Sequence, residues 1–308
     1  MANQKPSLYG GQAVVEGVMI RGRTAASLVV RRPDSTLAIS SIPLATWANG
    51  PVRKVPFARG VLVLAETLIL GAKALSISAN EAAGGSTETE GGRKVQGAMT
   101  TTATVAVVLA SLALGLGLFV VLPLLISKAV EPAGDLIANL TEGGLRLVIF
   151  LGYLWVIGRM AEIRRVFGYH GAEHMAVWAQ ENDKPLTAES LRKYPTAHPR
   201  CGTSFLLTVV LVSILVFIFV PRDPFWLVLS SRIVLIPLIT AVSYELIRFA
   251  GSHLDNPVVR FLTAPNLLLQ HMTTRQPDDQ MIEVAIASMN KALEMDAAAL
   301  DGGGPPQT

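Results

Sequence analysis

Apolar and charged positions are distributed very unevenly along this chain. From Val95 to Ser127 there is no Asp, Glu, Lys or Arg for 33 residues. A bilayer core needs about 20 helical residues at roughly 1.5 Å each, so this run predicts a membrane span with its core at 105–126. A second predicted span covers 144–161. Arg146 and Arg159 bracket its uncharged centre, and both side chains are long enough to snorkel to the headgroups. A third covers 202–220, inside an uncharged run from Cys201 to Pro221. A fourth covers 232–249, with Pro237 inside it and Glu245 near its end.

The remaining segments read differently. In 1–56, Val-, Ile- and Leu-bearing stretches at 26–32 and 36–42 flank Pro33-Asp34-Ser35, a pattern of two strands around a turn. Residues 57–80 have helical apolar spacing broken by Glu66 and Lys73, which predicts an interfacial or packed helix. Residues 81–94 are rich in Gly, Ser, Thr and Glu and read as a flexible linker. In 251–298, the positions Met281, Ile282, Val284, Ala285, Met289 and Leu293 predict a C-terminal cytoplasmic helical segment. Residues 299–308 read as a disordered tail. The fold class is thus mainly α: a polytopic membrane helix bundle of about four spans at 95–250, with a small N-terminal β-containing cytoplasmic module.

Charge sets the expected topology. The segment 162–202 carries Arg164, Arg165, Lys184, Arg192, Lys193 and Arg200, whereas the opposite loops carry little beyond Lys128 and Arg222. The positive-inside rule then places both termini and 162–202 on the cytoplasmic side of a cell membrane. Composition agrees: 51% of residues are hydrophobic and 16% charged, against about 25% charged in soluble domains. The net charge of +3 is not gathered into a basic stripe with aromatics, which argues against nucleic-acid binding. The one cysteine, Cys201, excludes an intramolecular disulfide. The polar first nine residues lack a signal-peptide core.

Three of the five histidines, His170, His174 and His198, fall within 29 residues of one another. His170 and His174 are spaced i, i+4, which puts both imidazoles on one helix face. Glu173 precedes the second. This is an H-x-x-E-H arrangement, in which two histidines hold zinc and the glutamate acts as general base on bound water. His198-Pro199-Arg200-Cys201 adds an imidazole and a potential thiolate. A closed set of His170, His174, His198 and Cys201 would make a structural zinc site, and an open three-ligand set would permit hydrolysis. Glu245, a carboxylate in the last turns of a predicted span, is a candidate distal ligand; its alternative partner is Arg248. Glu16, set among apolar residues, is a further candidate, with a strand-edge carboxylate as the plainer reading. His253 and His271 have no ligand-like spacing.

Several of these segments resemble the YqhQ-like family of membrane proteins, a domain-of-unknown-function family. They are Gly10-Gly11-Gln12-Ala13-Val14-Val15-Glu16-Gly17, Phe167-Gly168-Tyr169-His170-Gly171-Ala172-Glu173-His174, His198-Pro199-Arg200-Cys201-Gly202, Ser243-Tyr244-Glu245-Leu246-Ile247 and Thr273-Thr274-Arg275-Gln276-Pro277. The resemblance runs over most of 8–290. It implies a metal-dependent enzyme of the membrane without assigning a reaction or substrate.

Three function classes follow as expectations. The first is a metal-dependent, hydrolase-like membrane enzyme with its site at the cytoplasmic face, a divalent metal with zinc preferred, and Glu173 as the catalytic base. The second is a non-catalytic membrane scaffold whose loop is held by a structural metal or hydrogen bonds. The third is a small transporter acting as a homo-oligomer. The lipid bilayer is the one partner expected in all three.

Overall fold

The computed structural model describes residues 9–44, 55–84, 101–130, 133–253 and 255–300. Most of the predicted linker and residues 301–308 of the predicted tail lie outside these residues; 299 and 300, expected in the tail, belong to a helix.

Four strands form an antiparallel meander in the order β1 (Gly10–Val14), β2 (Gly17–Arg21), β3 (Ala25–Arg31) and β4 (Leu37–Pro43). The two strands expected around Pro33-Asp34-Ser35 are β3 and β4. The Asp34 carboxylate accepts from Thr36 N–H at 2.9 Å and holds that turn. β1 and β2 flank Glu16, whose plainer expected place was a strand edge, and complete the β-containing module expected over 1–56. β3 is buried along its whole length, as a strand covered on both faces must be. Its alternation divides two cores. Val29 joins Val18 and Ile20 on one face. Ala26, Leu28 and Val30 join Val14 and Met19 on the other.

Helix α1 (Ala58–Ala82) covers the second face through Leu70 and Ala74. It has the length and apolarity of a span, but its buried positions include two carboxylates. Glu66 pairs with Arg21 at 2.8 Å, and Glu81 with Arg32 at 2.6 Å. They stand 15 residues apart, so about 22 Å of this helix is committed to the sheet. The preceding turns pack on a later helix: a Cβ at Gly60 would lie 2.9 Å from Tyr244 Cβ.

The apolar helices follow. α2 (Thr101–Leu116) continues through a π-type turn, Gly117–Val121, into α3 (Leu122–Val130). α4 spans Gly134–Ile157 and α7 spans Thr203–Phe217. α8 (Phe225–Val234) and α9 (Ile236–Ser252) form a pair bent by 44°. Among the described residues, three helices are long and apolar enough to cross a membrane, or four if the bent pair is one span.

Two expectations are corrected here. Residues 162–202 are not a polar loop but α5 (Ala161–Glu181), a short α6 (Ala188–Leu191) and their connections. α5 is polar by composition yet buried from Gly168 to Val177, because the sheet covers it. Arg146 does not snorkel. It is buried and paired with Glu142 at 2.8 Å, and it donates to Phe119 O at 2.9 Å within the π-type turn. α10 (Pro257–Thr273) exposes Val258, Phe261, Leu262 and Leu268 along one side. α11 (Asp279–Leu300) packs on the sheet beside α5.

Candidate metal centre

α5 carries His170, Glu173 and His174 into the space between the sheet and the start of α7. Two glycines allow the approach. A Cβ at Gly171 would lie 2.2 Å from the Arg275 carbonyl oxygen, so only glycine lets the chain after α10 cross α5. A Cβ at Gly11 would lie 2.4 Å from Met19 O and 2.9 Å from Glu173 Cγ, so β1 passes directly over the glutamate.

Both histidines are oriented by backbone carbonyls. His170 Nδ1 lies 2.8 Å from Thr273 O, and His174 Nδ1 lies 2.6 Å from Thr196 O. A carbonyl only accepts, so both Nδ1 atoms carry the proton and both Nε2 lone pairs are bare. His170 Nε2 faces Cys201 Sγ at 3.2 Å. His174 Nε2 is buried and has no hydrogen-bond partner, and its residue is 2% exposed. The three ligand atoms of His170, His174 and Cys201 lie within 4.8 Å of one another. Tetrahedral zinc bonds of about 2.0–2.3 Å put ligand atoms roughly 3.3–3.8 Å apart, so closure around an ion requires shifts of about 1 Å or less.

The surroundings suit such a set. Cys201 lies two residues before the start of α7, and Thr203 N–H lies 3.4 Å from its sulfur. Burial holds the His174 imidazole below its usual range, hence neutral and able to ligate. Glu173 is 4% exposed, and one carboxylate oxygen lies 3.9 Å from His174 Nε2. Burial pushes its carboxyl above the usual range, opposed by the two nearby imidazoles of His170 and His198 and by a Gly11 N–H bond.

The other candidates stand elsewhere. His198 is buried nearby, its ring 5.8 Å from that of His174, but both its nitrogens are engaged. Nδ1 accepts from Arg200 N–H at 3.3 Å, and Nε2–H faces Glu181 at 3.3 Å. It therefore backs the cluster without pointing into it. Glu245 is not brought to the cluster: it accepts from Arg59 Nε at 2.7 Å and Phe57 N–H at 3.1 Å, joining α9 to the start of α1. Glu16 accepts from Arg165 Nε at 2.6 Å and from Tyr169 OH at 3.1 Å. The Arg165 guanidinium holds the Glu16 carboxyl below its usual range. Arg165, Tyr169 and Glu173 follow at four-residue spacing on α5, so Glu16 sits along the same helix face, away from the three ligand atoms. Its own backbone is left-handed, with φ of 51°, at the two-residue turn between β1 and β2. His253 and His271 bond to carbonyls of their own helices.

Gln270 is a supporting residue that sequence reasoning missed. It is fully buried. Its Oε1 accepts His198 N–H at 2.7 Å, and its Nε2 donates to His198 O at 2.9 Å and Ser204 Oγ at 3.0 Å. It thereby clamps the turn that presents Cys201. A lone glutamine in an apolar helical stretch was the only signal available.

The chain is a member of a family of uncharacterised proteins, mainly helical with a small N-terminal sheet. Residues 55–295 match the family described as "Protein of unknown function (DUF1385)", to which the chain belongs. The "Uncharacterized protein YqhQ" of Bacillus subtilis (strain 168) is 32% identical over 302 residues, covering 95% of this chain and 94% of that protein. No solved structure matches.

Proposed function

We propose that this protein is an integral membrane protein carrying a metal-dependent hydrolytic site at the cytoplasmic membrane face, with zinc as the best-suited ion. The observation that carries the metal assignment is the bare, buried Nε2 of His174, which shares its space with His170 Nε2 and Cys201 Sγ. An imidazole nitrogen left unpaired inside a protein is costly, and a cation on its lone pair removes the cost. The membrane reading is supported by the apolar helices and by the exposed Leu, Phe and Val side chains on α2, α4, α7 and α10.

Hydrolysis is favoured over a structural site by the number of donors. Three protein ligands leave a fourth position, the condition for a bound water, whereas structural zinc sites are closed. His198, which would close the set, is turned to Glu181. Glu173 is the carboxylate beside the set and suits a general base. When bound, the metal supplies Lewis acidity and lowers the pKa of water. The chain's own residues fix two imidazole tautomers, present the sulfur and hold a carboxylate out of bulk water.

Metal analysis of purified full-length protein tests this. About one equivalent of zinc is expected, lost in His174→Ala and Cys201→Ser and retained in Glu173→Gln. Full retention in both ligand variants overturns the metal assignment. Zinc retained in Glu173→Gln with unimpaired complementation of a deletion strain overturns the hydrolytic one and favours a scaffold.

A further inference from the structure

One edge of the sheet runs beside the histidine helix. β1 ends the order β1-β2-β3-β4, and among the described residues its outer side pairs with no strand. Val14 pairs with Gly17 across the two-residue turn Val15-Glu16. The closing pair of such a hairpin exchanges both main-chain bonds, and bonded and non-bonded pairs alternate behind it. Val14, Gln12 and Gly10 therefore bond inward to β2, whereas Gly11 and Ala13 turn their N–H and C=O groups outward. The Gly11 N–H fits this phase, since it donates to the Glu173 carboxylate on α5 rather than to β2.

Three outward groups remain: the Gly11 carbonyl, and the N–H and carbonyl of Ala13. No described group bonds to them. The strand is accessible: Gly10 and Gly11 are exposed and Ala13 is half-buried, and a Cβ at Gly10 would meet nothing within 4 Å. Gly10 to Val14 also contains none of the charges or prolines with which edge strands commonly avoid pairing. α5 follows this edge. Arg165 and Tyr169 bond to Glu16 at the β1–β2 turn, and Glu173, one helical turn beyond Tyr169, bonds to Gly11 near the start of the strand. The edge thus leads from Glu16 to the carboxylate that stands 3.9 Å from His174 Nε2.

We propose that this edge takes an extended polypeptide as an added strand, and that the bond cut at the metal site is a peptide bond. The inference rests on the hydrolytic reading above and names its substrate class. The free groups decide the chemistry. Two accept and one donates, so a matching ligand donates twice and accepts once along a strand. Successive residues of an extended chain present N–H and C=O groups in that way. An acyl ester or a phosphodiester offers acceptors alone and would leave both carbonyls unpaired. A strand laid on β1 passes beside Glu173, because that carboxylate already meets the same edge at Gly11. Hydrolysis there consumes water only. The water oxygen bonds to the carbonyl carbon, the C–N bond breaks, and Glu173 carries the proton from water to the leaving nitrogen.

The test uses full-length protein in detergent, loaded with zinc, and a peptide library made by tryptic digestion of a cell lysate. New termini are read by mass spectrometry. Wild type is expected to cut the library, and Glu173→Gln to leave it intact. Ala13→Pro removes the outward N–H but no bond to β2, and an edge strand tolerates proline at such a position. It is expected to keep its zinc and to lose about tenfold or more in kcat/KM on a synthetic peptide spanning one cleaved sequence. A second measurement does not depend on that variant folding: the same peptide added to Glu173→Gln should slow hydrogen exchange in residues 10–14. Cleavage by zinc-bound Ala13→Pro at the wild-type rate, or exchange unaltered by saturating peptide, refutes the added strand. A wild type that holds zinc and cuts no peptide overturns the substrate class and leaves the metal site standing. A wild type that holds no zinc, or a Glu173→Gln variant that cuts equally well, overturns the hydrolytic reading itself.

Discussion

Replacing Gln270 by leucine probes the link between α10 and the candidate metal centre. The change roughly preserves volume, so it leaves little cavity, but it removes three hydrogen bonds. His198 N–H, His198 C=O and Ser204 Oγ all lose their Gln270 partner. His198 and Ser204 are 3% and 2% exposed, so water cannot replace it freely. Each buried polar group left unpaired costs about 1–3 kcal/mol. His198 C=O keeps the Cys201 N–H at 3.2 Å, so two groups are left unpaired and the sum is about 2–6 kcal/mol. The consequence for the site follows from the same bonds. The His198 turn leads directly to Cys201, whose N–H bonds to His198 O at 3.2 Å. Freeing that turn lets the sulfur leave its place opposite His170. Supporting residues of this kind typically change metal affinity by about 10–100-fold. The assay is zinc competition against a chromophoric chelator, paired with thermal unfolding of the metal-free protein. A large fall in stability with zinc affinity unchanged within about twofold would refute the positioning argument. An unchanged melting temperature would refute the account of Gln270 itself.

Three other perturbations test separate parts of the structure. Glu142→Gln removes the one carboxylate among Arg146, Arg222 and Arg232; breaking a buried ion pair this way costs about 3–5 kcal/mol, read by thermal unfolding in detergent, and a loss below about 1 kcal/mol would contradict the buried-charge assignment. Gly171→Ala places a methyl 2.2 Å from Arg275 O, so the segment after α10 must lift from α5; an expected loss of about 1–3 kcal/mol accompanied by weaker zinc binding is checked by the same two assays, and a variant indistinguishable from wild type would count against the crossing. For Glu16, the folded-state carboxyl is depressed, chiefly by the Arg165 hydrogen bond, so its contribution is present above the unfolded value of about 4.3 and is lost as pH falls through the folded one. Because Arg165 is half exposed, its side chain at 49%, the contribution is about 1 kcal/mol or less; Glu16→Gln should lower stability by that amount at pH 7 and flatten the acid limb of a stability–pH profile, and an unaltered acid limb would exclude the linkage.

The parts legible from sequence share one property: their signal is local. The 33-residue uncharged run, the Pro33-Asp34-Ser35 turn between β3 and β4, and the i, i+4 spacing of His170 and His174 each state their structure within a few turns of chain. The candidate site was legible to the same depth. The H-x-x-E-H spacing put two imidazoles and Glu173 together, because one helix carries all three. Cys201 joined them as a nearby donor whose direction the sequence left open.

What the tertiary structure decided concerns long-range partners. Glu245 lies as near to His174 in sequence as many true ligands lie to one another, yet Arg59 takes it, 186 residues away in the chain. His198 differs from His174 in what meets its nitrogens: Glu181 and a backbone N–H in one case, a single carbonyl in the other, whose second nitrogen has no hydrogen-bond partner. Arg146 had the sequence signature of a snorkelling residue, but Glu142, Ser213 and a carbonyl in a π-type turn hold it inside. α5 reads as a polar segment but is buried, because the sheet and α11 close over it. Sequence alone therefore determined which segments are apolar, which residues are chemically able to hold a metal, and which turns are tight. Only folding decided which lone pairs remain unsatisfied, His174 Nε2 among them, since that depends on partners brought from distant parts of the chain.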